Sequence, residues 1–177
     1  PVTIEDGGVS IIKVYYDRNI ITYIFDAAGG KLNGSTDNVE IEGRFGAAVN
    51  IPANPVQAGY DFKYWFPAIP ATFDHQDKTF TAYWDARDGI PYKVQHWKQN
   101  IDNDKYTLVE ADTQNKEGKT GDETIANARY YGAGFITKDY EQKEISGDGS
   151  TVVDIYYDRK LITYTFTFYG EGGTWEN

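Results

Sequence analysis

Histidine is the side chain best suited to move protons near neutral pH, and the chain has two: His75 in Asp74-His75-Gln76-Asp77 and His96 in Val94-Gln95-His96-Trp97. Neither has the company that catalysis requires. The sequence contains no Cys for a thiolate nucleophile, no nucleophile-elbow motif, and no His pair three or four apart that could hold zinc on a helix. Asp102-Asn103-Asp104 offers a run of oxygen ligands that a hard cation accepts, but it lacks the glycine and the distant bidentate Glu of a twelve-residue calcium loop. A hairpin turn accounts for it. The expectation is a protein that is not an enzyme, with no cofactor and no metal.

Aromatic side chains carry the remaining chemistry, because flat ring faces stack on sugar rings while the polar tips of Tyr and Trp hydrogen-bond. Tyr130, Tyr131 and Trp97 are the candidate ligand contacts. Phe25, Trp65, Trp84 and Tyr156 are assigned to the core, since large aromatics dominate small cores.

The elements that would position these residues are read from periodicity. Thr22, Ile24 and Asp26 alternate with Tyr23 and Phe25 before Gly29-Gly30, the pattern of a strand entering a tight turn. Val39 and Ile41 alternate with Glu40 and Glu42, so one face of that strand is wet. Asn54-Pro55-Val56-Gln57-Ala58-Gly59 carries N-cap, first-turn Pro and terminal Gly signals and predicts a single helical turn. Phe80 to Trp84 predicts a closing strand. Further on, Tyr92 to Lys98 and Tyr106 to Glu110 predict a hairpin around Asn100 to Asp104, with Tyr92, Val94 and His96 on one face. Thr124 to Tyr131, closed by Gly132 and Gly134, predicts a short helix, and Thr151 to Tyr157 a final strand.

Composition supports a mostly β chain: 16% of the 177 residues are aromatic, with 15 Tyr, 9 Phe and 4 Trp. Without Cys there is no disulfide staple, which leaves the compartment open. A net charge of -10 speaks against nucleic acid or an anionic membrane as partners. No apolar run reaches the ~20 residues of a membrane helix, and the first residues lack the basic and apolar regions of a secretory signal, so the chain reads as an excised stretch that is not inserted in a membrane.

A long internal repeat organises the rest. Val14-Tyr15-Tyr16-Asp17-Arg18 returns as Ile155-Tyr156-Tyr157-Asp158-Arg159 at an offset of 141 residues, and Ile20-Ile21-Thr22-Tyr23-Ile24-Phe25 returns as Leu161-Ile162-Thr163-Tyr164-Thr165-Phe166. The glycine pair Gly29-Gly30 returns as Gly172-Gly173, two residues late. That period is too long for a solenoid unit and implies two different small modules in alternation. The expected divisions are 1–18 as a tail strand, 19–88 and 89–160 as complete modules, and 161–177 as the start of the next.

Thr22 to Gly30, Gly59-Tyr60-Asp61-Phe62-Lys63-Tyr64-Trp65 and Phe80 to Trp84 together resemble the internalin-type B repeat over about residues 19 to 88. Ala28 and Tyr64 depart from that pattern, standing where Asn and Gly are usual. Residues 89 to 160 are similar to the mucin-binding-type repeat through Tyr92 to Trp97, Tyr106 to Val109, Gly118 to Gly121, Gly134-Phe135 and Asp148 to Val153. The resemblance implies an α+β, mostly β fold of two tandem β-grasp, ubiquitin-like modules with one short helix each. It also implies an extracellular place on a bacterial cell surface or wall. The functional expectation is a stalk in an adhesin, extending a distal head and partnered by neighbouring repeats; the alternative is an adhesive module that binds host glycan or a surface protein.

Overall fold

The computed structural model describes residues 7 and 11–167, and the chain divides between Ala86 and Arg87 into two compact units. In the first unit β1 (Ile20–Asp26), β2 (Val39–Arg44), β3 (Tyr60–Phe66) and β4 (Lys78–Ala86) form one sheet in the order β2-β1-β4-β3. The first and last strands run parallel at its centre, with Phe25 opposite Phe80, and the flanking strands are antiparallel to them. Strand alternation sends Ile21, Tyr23 and Phe25 to one face, where Phe80, Ala82 and Trp65 join them. Loop residues Leu32 and Phe73 cover that face. Ring centroids only 4.6 to 5.3 Å apart link Tyr23 to Phe73 and Phe80, and Phe25 to Trp65 and Phe80. Edge-to-face and offset ring pairs of this kind add to the area they bury.

The second unit repeats the plan around β5 (Ile90–Gln99) and β9 (Val152–Arg159), which pair in parallel with Trp97 opposite Tyr156. β5 is long enough to take two partners on its other edge, β7 (Gln114–Gly118) beside Ile90 to Val94 and β6 (Tyr106–Leu108) beside Trp97 to Gln99. β8 (Phe135–Thr137) closes the far edge against β9. Tyr92, Val94 and His96 point inward with Val153, Ile155 and Tyr157.

The structure corrects the expected fold class. No α-helix occurs among the described residues, whose sole helical element is a 3-10 turn at Glu110–Asp112, so two β-grasp modules with a helix each are not what this chain forms. The helical turn expected at Asn54 to Gly59 is instead extended chain and a tight turn. Val56 exchanges backbone hydrogen bonds with Lys31 at 2.7 and 2.9 Å, and Gly59, at φ 74, turns the chain into β3. One isolated turn is too short to hold itself, and the bridge to Lys31 satisfies the backbone groups a helix would have used.

The helix expected at Thr124 to Tyr131 is likewise an extended strap. Its amides find side chains rather than carbonyls four residues back: Ile125 N–H donates to the Tyr92 hydroxyl (3.1 Å), Ala126 N–H to Gln142 Oε1 (2.8 Å), Ala128 N–H to the Tyr140 hydroxyl (3.1 Å) and Arg129 N–H to the Tyr157 hydroxyl (2.7 Å). Three tyrosines and a glutamine thus supply the acceptors that an extended backbone needs.

The strands expected at each end are also absent where the chain is described: Ile11 to Arg18 and Leu161 to Thr167 join no sheet. Gly8 to Ser10 and the return of the glycine pair at Gly172-Gly173 lie outside the described residues.

Candidate functional site

Alternation that fills each core also decides what the opposite face of each sheet displays. On β5 the outward positions include Gln95 and Trp97, and on β9 they include Asp154, Tyr156 and Asp158. Trp97 and Tyr156 stand in register and their rings lie nearly parallel, 6.0 Å between centroids. Tyr106 of β6 meets Tyr156 edge-on at 5.0 Å. Two of the polar tips are engaged by acids: Trp97 Nε1–H donates to Asp154 Oδ1 at 2.7 Å, and the Tyr106 hydroxyl donates to Asp158. Lys138 lies near the same hydroxyl, at 3.4 Å. The strip is half-buried and internally bonded, and the Asp158 contact pushes the Tyr106 hydroxyl pKa up, with burial adding to it.

The first unit displays a more accessible aromatic set. Tyr64 and Phe66 on β3 and Tyr83 on β4 are 46%, 58% and 46% exposed. Tyr64 stacks on Tyr83 with 5.0 Å between centroids and 12° between planes, and Phe66 meets Tyr83 edge-on at 5.8 Å. Beside them Lys63 and Asp85 form an exposed ion pair at 3.0 Å. Sequence reasoning did not single out this trio. The available signal was Tyr64 itself, a ring at the position where the resembled repeat has Gly, with Tyr83 one residue off the core parity set by Phe80 and Ala82.

The three candidate contacts do not form one site. Tyr130 is exposed, Trp97 belongs to the outward strip, and Tyr131 lies on the inner side of the same sheet. There the Tyr131 ring meets Tyr157 edge-on at 4.8 Å, lies 3.6 Å beneath Lys98 Nζ, and donates its hydroxyl to Asp112 Oδ2 at 2.5 Å. Burial, and then the Asp112 carboxylate, push that hydroxyl's pKa well up. Arg129 pairs with the other oxygen of Asp112 at 3.0 Å.

Of the residues assigned to the core, Phe25 and Trp65 are buried and Trp84 is half-buried against the first cluster. Tyr156 is placed on the outward strip, and its neighbour Tyr157 occupies the core. His96 is fully enclosed beside Tyr157, whereas His75 is exposed. Asp102-Asn103-Asp104 forms the hairpin turn, with Asn103 Oδ1 accepting from the Lys105 amide at 2.9 Å. Among the described residues no three His or acidic side chains gather as a metal site, and no helix is long and apolar enough to cross a membrane.

No family model matches the chain, the internalin-type and mucin-binding-type repeats included, and no curated protein matches it. Among solved structures, one described as "Streptococcal High Identity Repeats in Tandem (SHIRT) domains 3-4 from cell surface protein" is similar over 80% of this chain and 98% of that one, at 16% identity and a TM-score of 0.28. This neighbour is a bacterial cell-surface repeat protein. A likeness of that size assigns no role to any residue here.

Proposed function

We propose that the chain is a non-catalytic repeat segment of a bacterial cell-surface adhesin, a stalk that extends and presents a distal head. The observation that supports this most is the internal repeat: one sequence pattern recurs across a period that holds two separate compact units, each with its own sheet and core. Such a chain grows by adding units, and each unit contributes length. Its partners are the neighbouring repeats of the same chain. Small-angle scattering on chains with increasing repeat number tests the stalk: the maximum dimension rises in proportion to unit number, and growth with the square root instead rejects it.

A second reading, host glycan or protein adhesion, is favoured by the exposed Tyr64, Phe66 and Tyr83 on the first sheet. Ring faces at the surface suit sugar stacking. A glycan array probed with the parent chain and with Tyr83→Ala tests it; binding that is lost in the variant supports adhesion, and a blank array removes it in the glycan form.

A further inference from the structure

Two halves of one junction are visible at different places in this chain. The repeat aligns Asp17-Arg18-Asn19-Ile20 with Asp158-Arg159-Lys160-Leu161. At the second copy the upstream side is folded. Arg159 Nε donates to the Gln99 carbonyl at 2.8 Å, its backbone N–H donates to Gln99 Oε1 at 2.8 Å, and the Lys160 N–H donates to the Gly134 carbonyl at 2.9 Å. At the first copy the downstream side is folded. Arg18 Nη1 donates to the Phe45 carbonyl at 2.6 Å, and the Asn19 carbonyl accepts from the Phe45 N–H at 3.0 Å.

The two sets of bonds use different atoms of the same two positions. The upstream set takes Nε of the arginine and the N–H of the next residue; the downstream set takes Nη1 and the C=O. A guanidinium is a rigid planar fork with five N–H donors, so it can serve a carbonyl on each side at once, which a single ammonium on a flexible stem does less well. Gly46, at φ 80, keeps the downstream approach open: a Cβ there would meet Arg18 Nη1 at 2.9 Å.

The flanking residues behave as halves of the same joint. Tyr16 is 89% exposed where its counterpart Tyr157 is 1%, and Tyr164 is 76% exposed where its counterpart Tyr23 is fully buried. The same pattern is a core strand beside its partners and bare chain without them.

We infer that Leu161 begins a further copy of the 20–86 unit, and that Arg159-Lys160 is a two-sided clamp between the sheets. In the clamp, the Lys160 N–H closes the upstream ladder and its C=O opens the next one. The Arg159 guanidinium meanwhile spans from the Gln99 carbonyl to the carbonyl equivalent to that of Phe45. This inference rests on the stalk reading and supplies its joint: a strand that passes from one sheet into the next with no residue outside a ladder has little freedom to bend.

The test uses residues 1–160 of the chain followed directly by a second copy of residues 20–86. Residual dipolar couplings give one shared alignment tensor for residues 87–160 and the appended unit, and the amides of Lys160 and of the appended Phe45 are both protected from exchange. Arg159→Lys and Arg159→Ala split the tensor in two, while Lys160→Ala leaves it single. Unprotected junction amides or two tensors in the parent overturn the clamp. A single tensor that survives both arginine variants also overturns it, yet leaves the stalk standing. Scattering on longer arrays decides the stalk separately, because its dimension need not depend on this arginine.

Discussion

The Nδ1 of His96 lies 2.9 Å from the hydroxyl of Tyr157, and both side chains are enclosed on the inner face of the second sheet. The same hydroxyl accepts the N–H of Arg129, so this pair ties the strap to the central strands. A polar pair so placed makes the unit's stability sensitive to the charge on the imidazole.

Burial is the main cause that lowers the His96 pKa, and Arg129 and Lys116 act in the same direction against Asp112. The unfolded chain takes up this proton near pH 6.5 and the folded unit resists it. Stability from the neutral imidazole is therefore fully present above about pH 6.5 and is lost as pH falls below it toward the depressed folded value. Urea unfolding followed by the NMR signal of Ile155 at pH 7.5 and pH 5.0 measures the loss. His96→Gln removes that share of the difference between the two conditions; a difference of the same size in parent and variant rejects the assignment.

Trp84 closes the first unit from its side rather than from its centre. Its Nε1–H donates to the Ala27 carbonyl at 3.0 Å, and its ring lies against Gly30, leaving no room for a side chain there. Trp84→Phe should cost about 1 kcal/mol, mostly the lost indole hydrogen bond, since the Ala27 carbonyl keeps the Gly30 N–H at 3.0 Å. Trp84→Ala should cost ~2 to 3 kcal/mol, less than a fully buried Trp would. Chemical denaturation reads both, and an unchanged midpoint in Trp84→Ala contradicts the packing described.

Two glycines in strands separate rigid from yielding neighbours. A Cβ at Gly43 of β2 would collide with the ring of Phe73, which is itself held against Tyr23, whereas a Cβ at Gly118 of β7 would meet the terminal methyl of Ile145. A ring that cannot turn away transmits the strain, and a flexible tip relieves it. Gly43→Ala should lower stability by ~1 to 3 kcal/mol, with Gly118→Ala well below that. Equal losses in the two variants would count against this account.

Strand positions were legible wherever one face of a strand is wet. The alternation of Thr22 to Asp26 set Tyr23 and Phe25 on one face, and that of Tyr92 to His96 set Tyr92, Val94 and His96 on one face; in the structure these are the buried faces. Tyr156 and Tyr157 show the limit of that reading: two adjacent tyrosines are compositionally equal, and only the register with Trp97 decides which one faces out. The exposed trio escaped for a related reason. A bulge between Phe62 and Tyr64 shifts the register of β3 against β4, so simple alternation misplaces Tyr64. The helices failed because capping signals are local. Asn-Pro-x-x-x-Gly and a stretch closed by glycines describe chain that can start and stop a helix, and they say nothing of acceptors that come from residues far along the chain.

Gln142 is the acceptor that shows this most directly, and it carries the last prediction. Its Oε1 accepts the Ala126 N–H at 2.8 Å and the Thr124 hydroxyl at 2.9 Å, while its Nε2 donates to the Ala126 carbonyl at 2.9 Å. One primary amide thus pairs with both backbone groups of a buried residue, as a neighbouring strand would. Gln142→Glu keeps the shape and the acceptor but replaces the donor with a second acceptor, which leaves the Ala126 carbonyl facing a carboxylate oxygen. The Ala126 carbonyl keeps the Tyr140 hydroxyl at 3.4 Å, so losing the amide donor costs ~1 kcal/mol, and the charge adds to that above the carboxylate pKa. The variant should therefore be destabilised at pH 7 and partly restored near pH 4, where protonation returns one O–H donor to the site. Urea midpoints at the two pH values, each taken relative to the parent chain, give the answer. A deficit that does not shrink on acidification would show that the Gln142 Nε2 bond to the Ala126 carbonyl is not what the variant loses.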